Sequence, residues 1–196
     1  MDAQTIKTYD TRAAIFAQEW EEEQMPPSDL QDAVKTYFQG GLTIDVGCGS
    51  GRDTAWLVEQ GFDAIGIDAS PGLLVEAERR HPSVHFEVNT LPELIGIGNG
   101  IYVNVLCETV IMHLLEPDAM AAIIRLTQLL SNGGTLYLSW RVTEAAQYRD
   151  NFGRLYANIQ SECVRGTLAD FDTLLDERIV SSSSGKVLHR MIVRRA

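Results

Sequence analysis

Only three of the 196 residues are lysine (Lys7, Lys35 and Lys186), and no dense run of lysine and arginine makes up for them. The formal net charge is −11. Such a surface repels phosphate backbones, whereas nucleic-acid binders need a basic patch. Arg190, Arg194 and Arg195 near the C-terminus are too sparse to form one. The balance therefore favours a small-molecule or protein partner. Cysteine is equally scarce: Cys48, Cys107 and Cys163 lie far apart and never as Cys-x-x-Cys, which argues against a disulfide framework or a zinc site and for reduced thiols. No apolar run approaches the roughly 20 residues of a membrane span. The opening MDAQTIKTYDTRAAIF has no basic region followed by an apolar one, so no signal peptide is expected and a cytoplasmic location is.

What is present reads as one domain with a sizeable core. Strand-like runs at Leu42–Val46, Ala64–Asp68, Val84–Val88, Ile101–Leu106 and Leu136–Trp140 alternate with helical patterns at Arg52–Gln60, Pro71–Arg80 and Asp118–Leu130. That alternation predicts an α/β domain with a mainly parallel sheet. Asn132-Gly133-Gly134 is expected to end the last of these helices. Two helices are expected ahead of the sheet, over Thr11–Gln24 and Ser28–Gln39, parted by Pro26-Pro27. Arg141–Leu168 is too long for a plain loop and predicts a helix around Phe152–Ile159. Two strand-like runs around Ser184-Gly185 predict a final hairpin whose last strand is antiparallel to the rest.

The chemistry centres on Ile44–Asp53, IDVGCGSGRD. A dinucleotide fingerprint would place its third glycine where Arg52 stands. Asp45, two residues before Gly47, would repel a pyrophosphate and attract an ammonium group. Asp68 ends the second strand, 23 residues after Asp45, where an acid could accept from ribose hydroxyls.

Asp-x-Gly-x-Gly-x-Gly after the first strand resembles motif I of the class I S-adenosylmethionine-dependent methyltransferases. The likeness continues through Asp68, through Asn89-Thr90-Leu91-Pro92, through Asn104–His113 (NVLCETVIMH) and through LLSNGGTLYLSW. GSGRDTAWL and SWR…RDNFGRLY are more loosely similar to small bacterial members of the tellurite-resistance group. The resemblance implies a Rossmann-like, doubly wound sheet of seven strands with an antiparallel C-terminal strand and an N-terminal helical cap. It implies a single domain over residues 1–196, made of a cap (1–40), a cofactor-binding core (41–140) and an acceptor side (141–196). It implies S-adenosyl-L-methionine as cofactor, bound by Asp45, Gly47, Cys48, Gly49, Gly51, Asp68, Ala69, Asn89, Thr90, Leu91, Leu106 and Cys107, with Tyr9 and Arg12 closing over it. Asn89 departs from the family, where an acid is commoner; its carboxamide oxygen can still accept from an adenine amino group.

Several residues carry two readings. Cys48 and Cys107 suit packing better than nucleophilic work. His113 is either a satisfied core histidine or, if the acceptor arrives protonated, the catalytic base. Tyr9, Arg12, Phe16 and Trp20 could be no more than a packed cap, and Glu21-Glu22-Glu23 a solvated helix face. The acceptor pocket is expected between the cap, Cys107–His113 and Trp140–Tyr156. There Arg141, Arg149 and Arg154 could hold an anion among Trp140, Tyr148, Phe152 and Tyr156, or could pair with surface acids. No metal-ligand set is evident. The expected activity is in-line methyl transfer to a small molecule, possible without a base when the acceptor is soft or already ionised. The alternatives are a protein or nucleic-acid methyltransferase, for which an Asn-Pro-Pro-Tyr-type motif is missing, and a non-catalytic cofactor-binding module.

Overall fold

The computed structural model describes residues 1–144 and 146–196. Three helical segments precede the sheet: α1 (Ala3–Thr11), α2 (Ala13–Gln18) running into a π-helical turn at Glu19–Glu23, and α3 (Ser28–Tyr37). The core follows as β1 (Leu42–Val46), α4 (Arg52–Glu59), β2 (Asp63–Asp68), α5 (Pro71–Arg80), β3 (His85–Val88) and β4 (Tyr102–Cys107). After a short 3-10 turn at Ile111–His113 come α6 (Glu116–Leu129), β5 (Leu130–Arg141), β6 (Gln147–Arg149), β7 (Leu155–Ala157), α7 (Ser161–Thr167), β8 (Asp172–Val180) and β9 (Val187–Arg194).

Seven strands form one sheet in the order β3-β2-β1-β4-β5-β9-β8, and β9 is antiparallel to both of its neighbours. This is the Rossmann-like doubly wound sheet with an antiparallel C-terminal strand. The chain winds from β1 outward to β3 and then returns to place β4 on the other side of β1, with Asp45 level with Gly66 on β2 and Leu106 on β4. A crevice opens at the carboxyl ends of the strands where the winding reverses.

Strand periodicity decides which face each apolar side chain covers. Leu106, Tyr137 and Ile192 pack with Leu30 and Val34 of α3 and Leu57 of α4. Their strand neighbours Val105, Leu136, Leu138 and Met191 pack with Ile123 and Leu126 of α6 and Val164 of α7. Helices on both faces explain why the central strands read as nearly continuous apolar runs.

The structure corrects the expected elements in three places. The N-terminal helix begins at Ala3, where Asp2 caps it by accepting from Thr5 N at 2.8 Å, and it breaks at Arg12. The helix expected near Phe152–Ile159 is instead the β6–β7 hairpin, and the helix of this region lies at Ser161–Thr167. Asp150 Oδ1 accepts from Phe152 N (3.0 Å) and Arg154 N (2.9 Å), and Gly153 takes a left-handed φ of 89°. An aspartate-centred turn with that glycine reverses the chain sharply, which a helix cannot do. Helix α6 ends at Leu129, before Asn132-Gly133-Gly134; those residues instead form an irregularity in β5, where Tyr102 pairs with Leu130 but Asn104 pairs with Thr135.

Trp140 belongs to the core and not to a pocket wall. It is 1% exposed, stacks on His189 at 4.6 Å and donates from Nε1 to Ile159 O at 3.0 Å. Trp140→Ala is expected to cost about 3–5 kcal/mol of folding stability, because a large buried ring leaves a cavity that close-packed strands cannot collapse to fill. Denaturant unfolding of the variant against the parent chain measures it.

Candidate active site

Backbone packing shapes the glycine turn before any ligand does. Gly47 and Gly49 have φ of 82° and 57°, a region that L side chains rarely enter. A Cβ on Gly47 would collide with Val110, and one on Gly49 would lie 2.9 Å from the Trp20 ring. The turn is therefore pinned between the segment after β4 and the π-helical turn of the cap. Gly47 N and Cys48 N both donate to Ile67 O, at 2.7 and 3.0 Å, tying the turn to β2.

Around this turn lies a cavity of about 260 Å³. Its floor carries Asp45, Gly47, Cys48, Gly49, Asp68 and Ala69, with Asn89 and Leu91 on the β3 side. The cap supplies Tyr9 and Trp20, and the far wall carries His113, Arg141, Arg154 and Tyr156. Five expected residues stand off this wall. Gly51 caps α4 against Phe86 and Ala77, and Thr90 is exposed beside Asn89. Leu106 and Cys107 are buried in the core on opposite faces of the sheet. Arg12 lies over the Phe152 ring at 4.6 Å.

Carboxylates dominate the floor. Asp45 is 2% exposed and accepts from Thr54 Oγ1 at 2.6 Å. Burial pushes its pKa up to about 8, and Asp53, Asp68 and Glu108 add repulsion. Asp68 takes Gly49 N on one oxygen (3.0 Å) and Ser70 N on the other (2.8 Å), and burial raises its pKa as well. Glu108 accepts from Ser139 Oγ at 2.5 Å; burial, with Asp53 beyond it, lifts its pKa to about 7. Arg52 also reaches this end, but its guanidinium is bound to both oxygens of Asp53 (2.8 and 3.1 Å) and to Trp20 O (3.1 Å).

The far wall has the opposite character. His113 Nδ1 lies 2.6 Å from Leu155 O, which can only accept, so Nδ1 carries the proton. Nε2 then accepts from the Tyr9 hydroxyl at 2.9 Å. Burial lowers the His113 pKa to about 4, and Arg154 and Arg141 reinforce the effect. The ring is thus a neutral, doubly bonded group, the arrangement of a satisfied core histidine. Arg154 donates to Asp150 (2.7 Å) and to the Tyr9 oxygen (3.2 Å), and Arg149 pairs with Asp2 (2.9 Å) at the exposed edge.

The glutamate run of the cap is not merely solvated: Glu21 pairs with His81 at 3.0 Å and Glu22 with Arg80 at 3.0 Å, which hold the π-helical turn against α5. Asp53 and the turn residues Ser181, Ser183 and Lys186 join the cavity without having been singled out, and Glu108 lines it within the Cys107–His113 segment expected at the acceptor pocket. Glu108 had a local sign, a lone acid closing an apolar strand. Lys186 had none, because only the β5–β9 pairing brings it near. Among the described residues no group of three or more His, Cys, Asp or Glu could hold a metal ion, and no helix is long and apolar enough to cross a membrane.

The doubly wound sheet that carries this acid-lined glycine turn has the fold of S-adenosylmethionine-dependent methyltransferases of known structure. Residues 43–134 match the family described as the methyltransferase domain. It is 31% identical over 112 residues to a ubiquinone biosynthesis O-methyltransferase of Xanthomonas campestris pv. campestris, covering 55% of this chain and 46% of that protein. It is 39% identical over 80 residues to a trans-aconitate 2-methyltransferase of Methylobacterium nodulans, covering 40% and 31%. The chain thus spans about half the length, or less, of the curated relatives it matches. Its fold superposes on the 1,6-didemethyltoxoflavin-N1-methyltransferase of Burkholderia thailandensis with a TM-score of 0.75 at 20% identity, covering 99% of this chain and 88% of that one.

The raised pKa values have a thermodynamic consequence in the empty protein. Asp45 and Glu108 hold protons more tightly folded than unfolded, so their stabilising contribution is complete below their ordinary values of 3.8 and 4.5. It is lost as pH rises through about 7 and about 8, because the unfolded chain then binds fewer protons than the folded one. Ligand-free stability is therefore expected to fall from about pH 5 to about pH 8. Asp45→Asn should flatten that fall, as read by denaturant unfolding across the range.

Proposed function

We propose that the chain is an S-adenosylmethionine-dependent methyltransferase acting on a small-molecule acceptor by in-line methyl transfer. On this reading residues 1–196 act as one domain, with 1–40 as cap, 41–140 as donor-binding core and 141–196 as acceptor side. The observation that carries it is the excess of carboxylates at the carboxyl ends of β1, β2 and β4. Asp45, Asp53, Asp68 and Glu108 face one guanidinium, Arg52, that is already paired. A dinucleotide would add negative charge there, whereas a cationic aminoacyl sulfonium relieves the repulsion.

The residues fit that donor. Asp68 uses one lone pair on each oxygen for backbone N–H groups and keeps others for ribose hydroxyls. Asn89 Oδ1 accepts from Thr90 N at 2.9 Å and retains a second acceptor site for an adenine amino group beside Leu91. Glu108 and Asp53 are the acids to hold an ammonium, with the backbone of Gly47, Cys48 and Gly49 alongside. Tyr9 closes the cavity from the cap. When bound, S-adenosylmethionine would supply a methyl group activated by its positively charged sulfur, with S-adenosylhomocysteine as the neutral leaving group. The protein's part is alignment and exclusion of water. His113, neutral with both ring nitrogens engaged, serves as a positioning group through Tyr9, which suits an acceptor that arrives ionised or soft. The named acceptors of the relatives and of the structural neighbour are small molecules, and trans-aconitate is anionic. They support a small acceptor of anionic or aromatic character.

Calorimetry with S-adenosylmethionine tests the donor. Binding is expected to release protons at neutral pH, because a cation favours the ionised forms of Asp45 and Glu108; buffers of different ionisation heat reveal it. Asp45→Asn is expected to weaken binding roughly tenfold or more. Failure to bind S-adenosylmethionine while binding NAD would overturn the reading. Formation of S-adenosylhomocysteine with a pool of metabolites separates an enzyme from a non-catalytic binding module.

A further inference from the structure

Four cationic side chains line the cavity, and they are not equivalent. Arg52 is held by Asp53, and Arg154 by Asp150 and the Tyr9 hydroxyl. Arg141 and Lys186 have no carboxylate partner among the described residues, although the protein is strongly acidic and Glu144 lies in an adjoining surface depression with both of them. Arg141 is the last residue of β5 and pairs in register with Leu188, two residues beyond Lys186. Val142 N donates to Val187 O at 3.0 Å and extends the ladder past it. The antiparallel pairing thus sets both cations on one side of the cavity mouth. The half-buried Arg141 guanidinium lies over the Tyr156 ring, 5.1 Å from its centroid, and so is braced by an aromatic face, with no carboxylate on its N–H groups among the described residues.

Resting on the methyltransferase reading, we infer that Arg141 and Lys186 form the acceptor's anion clamp, so that the substrate is a small molecule carrying an oxyanion, carboxylate or phosphate, beside its methyl-accepting atom. A planar guanidinium with five donors matches such a group in two-point fashion, and an unpaired, partly buried cation is stabilised by a ligand that neutralises it. Arg149 and Arg154 are excluded from this role. The first faces outward onto Asp2, and the second is part of the framework that joins Tyr9 to the β6–β7 turn. The clamp lines the same cavity as the carboxylates, so the acids would favour the cationic donor and the clamp the anionic acceptor.

The test uses the chain saturated with S-adenosylhomocysteine, titrated calorimetrically with hydroxybenzoates and aliphatic dicarboxylates, with the corresponding uncharged amides, and with phenyl phosphate. Acids are expected to bind and amides to bind at least about tenfold more weakly. Arg141→Gln and Lys186→Gln should each lose roughly tenfold or more for the acids, with Arg141→Lys recovering part of the loss, and S-adenosylhomocysteine affinity should not change. Preference for phenyl phosphate over the carboxylates would assign the clamp to phosphorylated acceptors, and the reverse order to carboxylated ones; either supports it. Equal binding of acid and amide, no binding of any anion, or unchanged affinity in Arg141→Gln would overturn it. Failure to bind S-adenosylhomocysteine at all is a distinct result, which overturns the methyltransferase reading itself.

Discussion

The hydrogen bond from Thr54 to Asp45 is the constraint on which the rest of the site depends. It joins the end of β1 to the first turn of α4 across the glycine turn, so the turn is fixed at both ends and in the middle by β2. A buried carboxylate with one neutral donor is poorly solvated, and three further acids nearby make ionisation harder still. Evolution of a stable empty protein would favour an asparagine or an apolar residue here. An acid at this position is accounted for by the proposed cationic donor, which would relieve the repulsion among these carboxyl groups.

That electrostatic demand also explains how the cap is built. The π-helical turn places Trp20 against Gly49, and Arg52 holds Trp20 O from the start of α4. Arg80 and His81 from the end of α5 take Glu22 and Glu21. The cap therefore leans on the two helices that follow β1 and β2, the strands whose ends carry Asp45 and Asp68. π-helical turns are rare and concentrate near functional sites; this one closes the cavity over its acidic floor. The glycines, in turn, are required first by Val110 and Trp20 and only secondarily by a ligand's approach.

Much of the fold was legible because it rests on local signals. The apolar runs at β1, β2 and β4, Pro71 opening α5, and the final hairpin around Gly185 lie within a residue or two of their expected places. Asp45 and Asp68 were legible as candidates because each lies at the carboxyl end of a parallel strand beside the switch point, and both line the cavity. The β6–β7 hairpin was not, since its apolar residues suit either period and Asp150 decides the matter through backbone bonds that no pattern displays. Arg154 and Arg149 look alike in sequence to Arg141. Their difference lies in Asp150 and Asp2, the latter 147 residues away from Arg149.

The cavity lining carries groups of both signs, and His113 within it is uncharged. Protonated, it would add a third cation beside Arg141 and Arg154; burial and those two arginines keep its pKa near 4. Tyr9 occupies its Nε2, and Leu155 O occupies its Nδ1–H, so the ring joins α1 to the turn after β4 and to the start of β7 without contributing charge. Thr5 Oγ1 accepting from Leu155 N, at 2.9 Å, strengthens the same junction. As a neutral joint the ring adds no charge to either the carboxylates or the arginines of the lining. On the proposed reading, a cavity that carries both signs would admit a cationic donor and an anionic acceptor together, leaving alignment of sulfur, methyl group and nucleophile as the remaining task.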